Sequence, residues 1–186
     1  MKGFVREHTE FSLCGLNCLL CPMQVGGYCP GCGGGPGNQS CTIARCSLDN
    51  GGHAFCSDCS SYPCARYDEF DEADSFVPHS LRAADLDRAR EVGLDAYIDE
   101  LRAKRAILDK LLANYNDGRR KTFYCAAVYL LPLEDLQNVV VKLEGQPECS
   151  IKERAAVAVK MLQETADDHG VCLKLEKKKG GLCGDF

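Results

Sequence analysis

Ten of the fourteen cysteines lie between Cys14 and Cys64, a stretch of 51 residues. They are Cys14, Cys18, Cys21, Cys29, Cys32, Cys41, Cys46, Cys56, Cys59 and Cys64. Their spacing is C-x3-C-x2-C-x7-C-x2-C-x8-C-x4-C-x9-C-x2-C-x4-C, and it contains three C-x2-C pairs, Cys18/Cys21, Cys29/Cys32 and Cys56/Cys59. Two thiolates separated by two residues can bite one metal ion, because the short turn between them points both sulfurs inward. Pairs repeated at this density predict metal binding. Ten sulfurs exceed what two four-cysteine zinc sites need, each closed and tetrahedral. One assignment joins Cys18/Cys21 to Cys29/Cys32, and Cys56/Cys59 to two of Cys41, Cys46 and Cys64. Another brings Cys14 into the first site. Spacing alone does not choose between them. His53, three residues before Cys56, is a further candidate ligand, set against the ordinary reading of a loop histidine.

The cysteine window also explains why a metal would be needed. It holds 10 of the 18 glycines and few large apolar side chains. Such a segment cannot bury enough apolar surface to offset its backbone entropy. A structural zinc site contributes about 10–16 kcal/mol in small peptides, against roughly 1.5–3 kcal/mol for each buried aliphatic side chain. Within Cys29-Pro30-Gly31-Cys32-Gly33, the glycine after the second cysteine permits a positive φ and lets amides turn toward sulfur. The following glycine run is a loop and not a phosphate cradle, since no Gly-Lys-Ser/Thr follows it.

An iron–sulfur centre is the alternative, because thiolate sites accept either metal. The window could supply two sets of four thiolates for [4Fe-4S] clusters. Cys14-x3-Cys18-x2-Cys21 has the spacing of the cluster motif of radical S-adenosylmethionine enzymes. Those enzymes build on alternating strands and helices, which this chain lacks. Zinc, two ions per chain by count of sulfurs, is the preferred reading.

Composition narrows the rest. The chain has 186 residues and a net charge of −5, which disfavours a general nucleic-acid or anionic-membrane surface. The longest apolar run, 123–131, is too short to span a bilayer. The first residues have no secretory apolar core, which places the chain in a reducing cytosol with free or metal-bound thiols. A protein partner is the expected binding class. Arg119-Arg120-Lys121 is too short a basic run for a nucleic-acid footprint and reads as a solvated face, and the acidic run 68–74 reads as solubility. No nucleophile–base pair or dinucleotide fingerprint is present. Cys125, in an apolar stretch, reads as a small buried hydrophobe. Cys149, Cys172 and Cys183 read as free thiols, and His8, His79 and His169 sit in poor ligand contexts.

The elements that must position these residues fall into two regions, 1–66 and 67–186, packed together as one unit. The first is irregular and metal-stapled. The second is a small helical bundle, so the chain is mainly α. Residues 1–13 carry little; Phe11 and Leu13 could start a short strand or pack against the first cysteines. Helices are expected at 81–92 with Ser80 as N-cap, at 94–113, at 122–131 as a buried helix, and at 133–143 after Pro132. Ser150-Ile151-Lys152-Glu153 is a capping box that opens a helix to about 168. Alternation at 171–175 suggests one strand, and the lysines and glycines after it a frayed tail.

Four pieces also carry a family likeness: Cys14-Gly15-Leu16-x-Cys18-x-x-Cys21-Pro22, Cys29-Pro30-Gly31-Cys32, Cys41-x4-Cys46, and Cys56-x-x-Cys59-x3-Pro63-Cys64. Together they resemble DUF3795, a family of small cysteine-rich prokaryotic proteins of unknown function described as zinc-binding. Asn116-Asp117-Gly118-Arg119 and Phe123-Tyr124-Cys125-Ala126 extend the likeness into the helical half. The resemblance implies metal binding and a shared fold, and it brings no reaction. Replacing Cys32 by Ser is expected to open the first region to proteolysis while circular dichroism keeps most of the helix signal.

Overall fold

The computed structural model describes residues 3–35, 41–68 and 72–177. The protein is mainly α. Among the described residues there are eight α-helices and no strand. In order they are α1 (Pro22–Val25), α2 (Thr42–Asp49), α3 (Ala65–Asp68), α4 (Arg82–Val92), α5 (Leu94–Asn114), α6 (Lys121–Leu130), α7 (Leu133–Glu144) and α8 (Ile151–Asp168). Two 3-10 turns, Cys18–Leu20 and Cys56–Asp58, each open at the first cysteine of a C-x2-C pair. Among the described residues no helix is long and apolar enough to cross a membrane.

α5 is the central strut. Tyr97, Ile98, Leu101, Leu108 and Leu111 recur on one face at helical spacing and are buried. The helix touches α4, α6, α7, α8 and the Cys18–Leu20 turn. α6 was expected to be apolar all round, and six of its residues, Tyr124 to Tyr129, are buried. The main core joins these helices to Phe11 and Leu20, so the cysteine segment contributes to the same apolar interior as the bundle. α8 opens with the expected capping box: the Ser150 hydroxyl accepts from the Glu153 amide at 3.4 Å, and the Glu153 carboxylate accepts from the Ser150 amide at 2.9 Å.

Several expectations need correction. The first region is not irregular throughout, because α2 runs for eight residues between glycine-rich stretches. Ser80 does not cap α4. Leu81 occupies the N-cap position with φ −94° and ψ −8°, and it makes no side-chain cap bond. The entry is held instead one turn earlier, by the His79 amide donating to the Asp74 carboxylate at 2.8 Å. Asp74 is therefore more than a solubilising charge. Its other oxygen accepts the Glu176 amide at 2.7 Å, and its own amide donates to the Glu176 carbonyl at 2.9 Å. Residues 171–175 form no strand among the described residues, and Leu173 docks into the core. Phe11 and Leu13 are buried without forming a strand. Residues 69–71 of the acidic run, Cys183 and the tail after 177 lie outside the described residues.

The cysteine segment is fastened to the bundle by polar contacts. Asn17 is 3% exposed. Its side-chain amide donates to Asp85 at 2.9 Å, and its side-chain carbonyl accepts the Tyr97 hydroxyl at 3.0 Å. Its backbone amide donates to the Tyr129 hydroxyl at 3.2 Å. Arg105 of α5 donates to the Leu19 carbonyl at 2.9 Å and the Gln24 side chain at 2.6 Å. Gly15 allows the close approach: its φ is +91°, and a Cβ there would run into the Arg82 carbonyl.

Burial pushes Asp85 up to about 6, against the opposing hydrogen bonds from Tyr97 and Asn17 and the charge of Lys104. The ordinary value of 3.8 applies to the unfolded chain. The charged carboxylate therefore destabilises the fold at neutral pH, and protonation relieves the cost as pH falls from about 6 toward 4. Asp85→Asn should raise the free energy of unfolding at pH 7 by on the order of 2 kcal/mol. The gain over the native chain should shrink to nothing by about pH 4, read by urea titrations across that range.

Candidate functional site

Five cysteines of the first region gather around Leu13, Ile43, Ala44, Phe4 and Tyr67, which form a second, smaller core. Cys14 is a buried member of it, and Cys32, Cys41, Cys56 and Cys64 pack against it. Local backbone geometry sets each sulfur's place. In Cys18–Cys21 the turn closes with the Cys21 amide on the Cys18 carbonyl at 3.0 Å, and in Cys56–Cys59 with the equivalent bond at 3.1 Å. In Cys29–Cys32, Gly31 takes φ +88°, and a Cβ there would collide with the Thr9 carbonyl. That carbonyl accepts the Cys32 amide at 3.1 Å. Glycine is required here by both conformation and space.

Four cysteines line one small cavity of about 40 Å³: Cys46 on α2, Cys56 and Cys59 at the ends of their 3-10 turn, and Cys64 just before α3. His53 lies on the same wall, its carbonyl held by the Ser47 hydroxyl at 2.8 Å. Leu13, Ile43, Tyr62 and Tyr67 supply the apolar remainder. The Tyr62 and Tyr67 rings meet edge to face at 5.2 Å.

A second set of cysteines is linked by mutual electrostatic influence. Cys14, Cys18 and Cys32 act on one another electrostatically, and Cys41 acts on Cys14 and Cys32. Backbone amides point at these sulfurs: Leu16 at Cys14, Cys32 at Cys18, and Leu13 at Cys32. Such N–H donors favour a thiolate. Cys29 acts on Cys21, and Cys21 in turn acts on Cys18. Cys21 packs against the main core and feels the Lys121 charge, and the amides of Met23 and Gln24 point at its sulfur.

Burial opposes ionisation at five of these sulfurs. It pushes the Cys14 thiol up to about 12, partly offset by a 3.2 Å contact with the Ser12 hydroxyl. It pushes Cys56 up to about 11 against a hydrogen bond with Tyr67, and it raises Cys18, Cys21 and Cys32. These sulfurs are neutral thiols at pH 7. As placed, no three His, Cys, Asp or Glu side chains among the described residues stand close enough together to hold a metal ion. The donor chemistry still suits a soft divalent cation, which would strip the thiol protons and replace mutual repulsion with a shared attraction. No disulfide links any cysteine among the described residues.

Two arginines stand beside the sulfurs. Arg6 donates to the carbonyls of His8 at 2.9 Å, Phe11 at 2.7 Å and Ala54 at 3.0 Å. Its guanidinium lies 4.8 Å from the Phe55 ring centre and hydrogen-bonds Cys32. Arg82 is fully buried, stacks 3.7 Å over the Tyr67 ring and donates to the Tyr67 carbonyl at 2.9 Å. Its charge favours the Cys56 thiolate. Tyr67 reaches both cysteine groups, its hydroxyl 3.4 Å from the Cys14 carbonyl and bonded to Cys56. None of these three residues carries a sequence signal. Residues 1–13 were expected to carry little, and Arg6 overturns that. Its partners lie up to 48 positions away.

The remaining candidates have ordinary surroundings. Cys125 is 2% exposed, and burial raises its thiol to about 11, so it is no activated nucleophile. Cys149 and Cys172 are exposed. His79 is buried against Ser75 at 2.9 Å, and His169 meets Asp135 at 2.9 Å. Lys121 of the basic run lies over the Tyr28 ring at 5.9 Å, and Arg120 pairs with Asp117 at 3.4 Å.

The chain matches no family model, no curated protein and no solved structure in comparisons with each. Function is therefore argued from its own residues. Arg6→Lys keeps the charge but loses the planar fork that reaches three carbonyls. Urea denaturation should show a loss of about 1 kcal/mol, the cost of weakening bonds to two part-buried carbonyls and one exposed carbonyl. A lysine variant as stable as the native chain would mean that charge alone matters.

Proposed function

We propose that this chain is a zinc-binding protein whose four-cysteine sites hold the first region on the helical bundle and so present a surface to a protein partner. The observation that carries this reading is the cavity lined by Cys46, Cys56, Cys59 and Cys64. Four thiols from three separate turns of the chain face one space of about 40 Å³ with apolar walls. An ordinary core would have filled that space with aliphatic groups. The thiol chemistry supports zinc: four sulfurs drawn in onto one ion would satisfy a closed tetrahedral shell and leave no open position for a substrate. That shell argues for a structural role.

The likeness to the DUF3795 family agrees with metal binding and adds no reaction. The role as an interaction protein rests on the lack of a catalytic constellation among the candidate residues, together with exposed apolar side chains such as Tyr28 on the first region.

Protein purified without oxygen should carry about two zinc ions per chain and show no visible absorbance. Loading the chelator-treated protein at pH 7 should release protons, because the buried thiols must give theirs up. Iron with acid-labile sulfide and a broad band near roughly 400 nm would replace this reading with an iron–sulfur protein.

A further inference from the structure

We infer that the groove between the ends of α5 and α7 and the start of α8 binds a short zwitterionic peptide, with the peptide's carboxylate on Arg154 and its ammonium group at Glu148. The groove lies in the helical half and takes in none of the cysteines from Cys14 to Cys64. It is therefore a second site, independent of the zinc reading above.

The groove has a volume of about 700 Å³, within the range of small-molecule sites. The linker from α7 to α8 forms one wall through Gln146, Pro147 and Glu148. Five charged side chains line the space, and three are already engaged. Lys110 of α5 pairs with Glu144 of α7 at 2.6 Å. Glu153 is committed to the capping box, accepting from the Ser150 amide at 2.9 Å and the Ser150 hydroxyl at 2.7 Å. Arg154 and Glu148 remain. Among the described residues neither side chain makes a hydrogen bond or an ion pair, and the Nε of Arg154 is wholly covered without an acceptor. A covered donor with no acceptor keeps the full cost of leaving water. Arg105 and Arg120, on other helices of the bundle, each meet a carboxylate instead. The guanidinium of Arg154 is thus a held cation that the protein itself leaves without a counter-charge.

Charge selects the ligand. The lining carries the three carboxylates of Glu144, Glu148 and Glu153 against the two cations of Lys110 and Arg154, so a phosphate or a dicarboxylate meets net repulsion. One carboxylate on the planar fork of Arg154 is favourable, and an ammonium group at Glu148 balances what is left. The helix ends sort the two charges in the same sense. α8 begins at Ile151, and its positive N-terminal end favours the carboxylate beside Arg154. α5 and α7 end at Asn114 and Glu144, and their negative C-terminal ends favour the ammonium group. Tyr115, Leu143 and Val157 offer apolar contact to the peptide's side chains. A single amino acid would leave most of the space empty, which is the reason to assign a peptide.

The test titrates the full, isotope-labelled chain with the dipeptide L-leucyl-L-leucine and follows backbone amides by NMR. Saturable shifts are expected at Asn114, Gln146 and Val157, with a dissociation constant of about 1 mM or below. Arg154→Gln should weaken binding by about tenfold or more, and Glu148→Gln should weaken it less. Two modified probes need no variant: on the native chain the dipeptide amide, which lacks the carboxylate, and the N-acetyl dipeptide, which lacks the ammonium group, should each bind more weakly than the parent. On Arg154→Gln, amidation of the probe should change nothing further. No saturable shift up to about 10 mM, or equal binding of the dipeptide and its amide to the native chain, overturns the proposal. Inorganic phosphate that moves the same amides with equal affinity also overturns it, in favour of a plain anion site. Stability supplies a second readout. Arg154→Met keeps the apolar stem and removes the charge, so it should unfold at the same or a higher urea concentration than the native chain without ligand. A clear loss of stability would make Arg154 a structural residue and overturn its assignment to the ligand.

Discussion

Asn17 is the fastening on which the arrangement depends. A glycine-rich segment with short helices has little apolar surface of its own and must be held from outside. Asn17 uses its side-chain amide, its side-chain carbonyl and its backbone amide to reach α4, α5 and α6 in turn. Buried and fully engaged, it places the chain on both sides of it, Cys14 on one and Cys18 on the other, at fixed distances from the bundle. Buried polar groups with every partner in place specify one arrangement, since any shift would leave several of them unsatisfied. The carboxylate of Asp85 bears the energetic cost of this knot.

Around that point the molecule separates two kinds of packing. The bundle is held by large apolar side chains on amphipathic helices, with Leu108, Leu111, Leu131 and Leu162 fully enclosed. The small core beside it is built from thiols, tyrosines and two arginines. Its apolar members are few, and its stability leans on directed contacts: Arg6 gathering three carbonyls, Arg82 lying on Tyr67, and backbone amides aimed at sulfur. Directed contacts hold position well but contribute little net stability individually. That imbalance is the physical reason to look for a further binding energy in this half of the chain.

The bundle was legible in the sequence because its signals are local. Ser150 and Glu153 announce α8 at a separation of three, and the face of α5 repeats within a turn. Ser80 misled because the entry to α4 is set by Asp74, five residues before His79, and a cap rule sees only the adjacent positions. α2 escaped notice because Thr42–Asp49 is short and two of its neighbouring stretches read as loop. The cysteines were legible as ligand types but not as groups. Their packing depends on contacts between distant segments, with Cys14, Cys32, Cys41, Cys56 and Cys64 in the small core and Cys21 turned toward α6. Tyr67 and Cys14 lie 53 positions apart, and nothing in either segment marks the pairing.

The Tyr67 hydroxyl has one proton and two claimants, the Cys14 carbonyl and the Cys56 sulfur. While Cys56 is a thiol, its own S–H can point at the phenol oxygen, and the phenol proton is free to serve the carbonyl. Once Cys56 loses its proton, the sulfur becomes an acceptor, and both claimants compete for the same hydrogen. The chemical state of one sulfur is then legible at the backbone of another turn of the chain, through a single rotating O–H bond. Tyr67 is in this sense an arbiter between the two halves of the cysteine core, and its phenol stretch or chemical shift is a natural reporter of which half holds the proton.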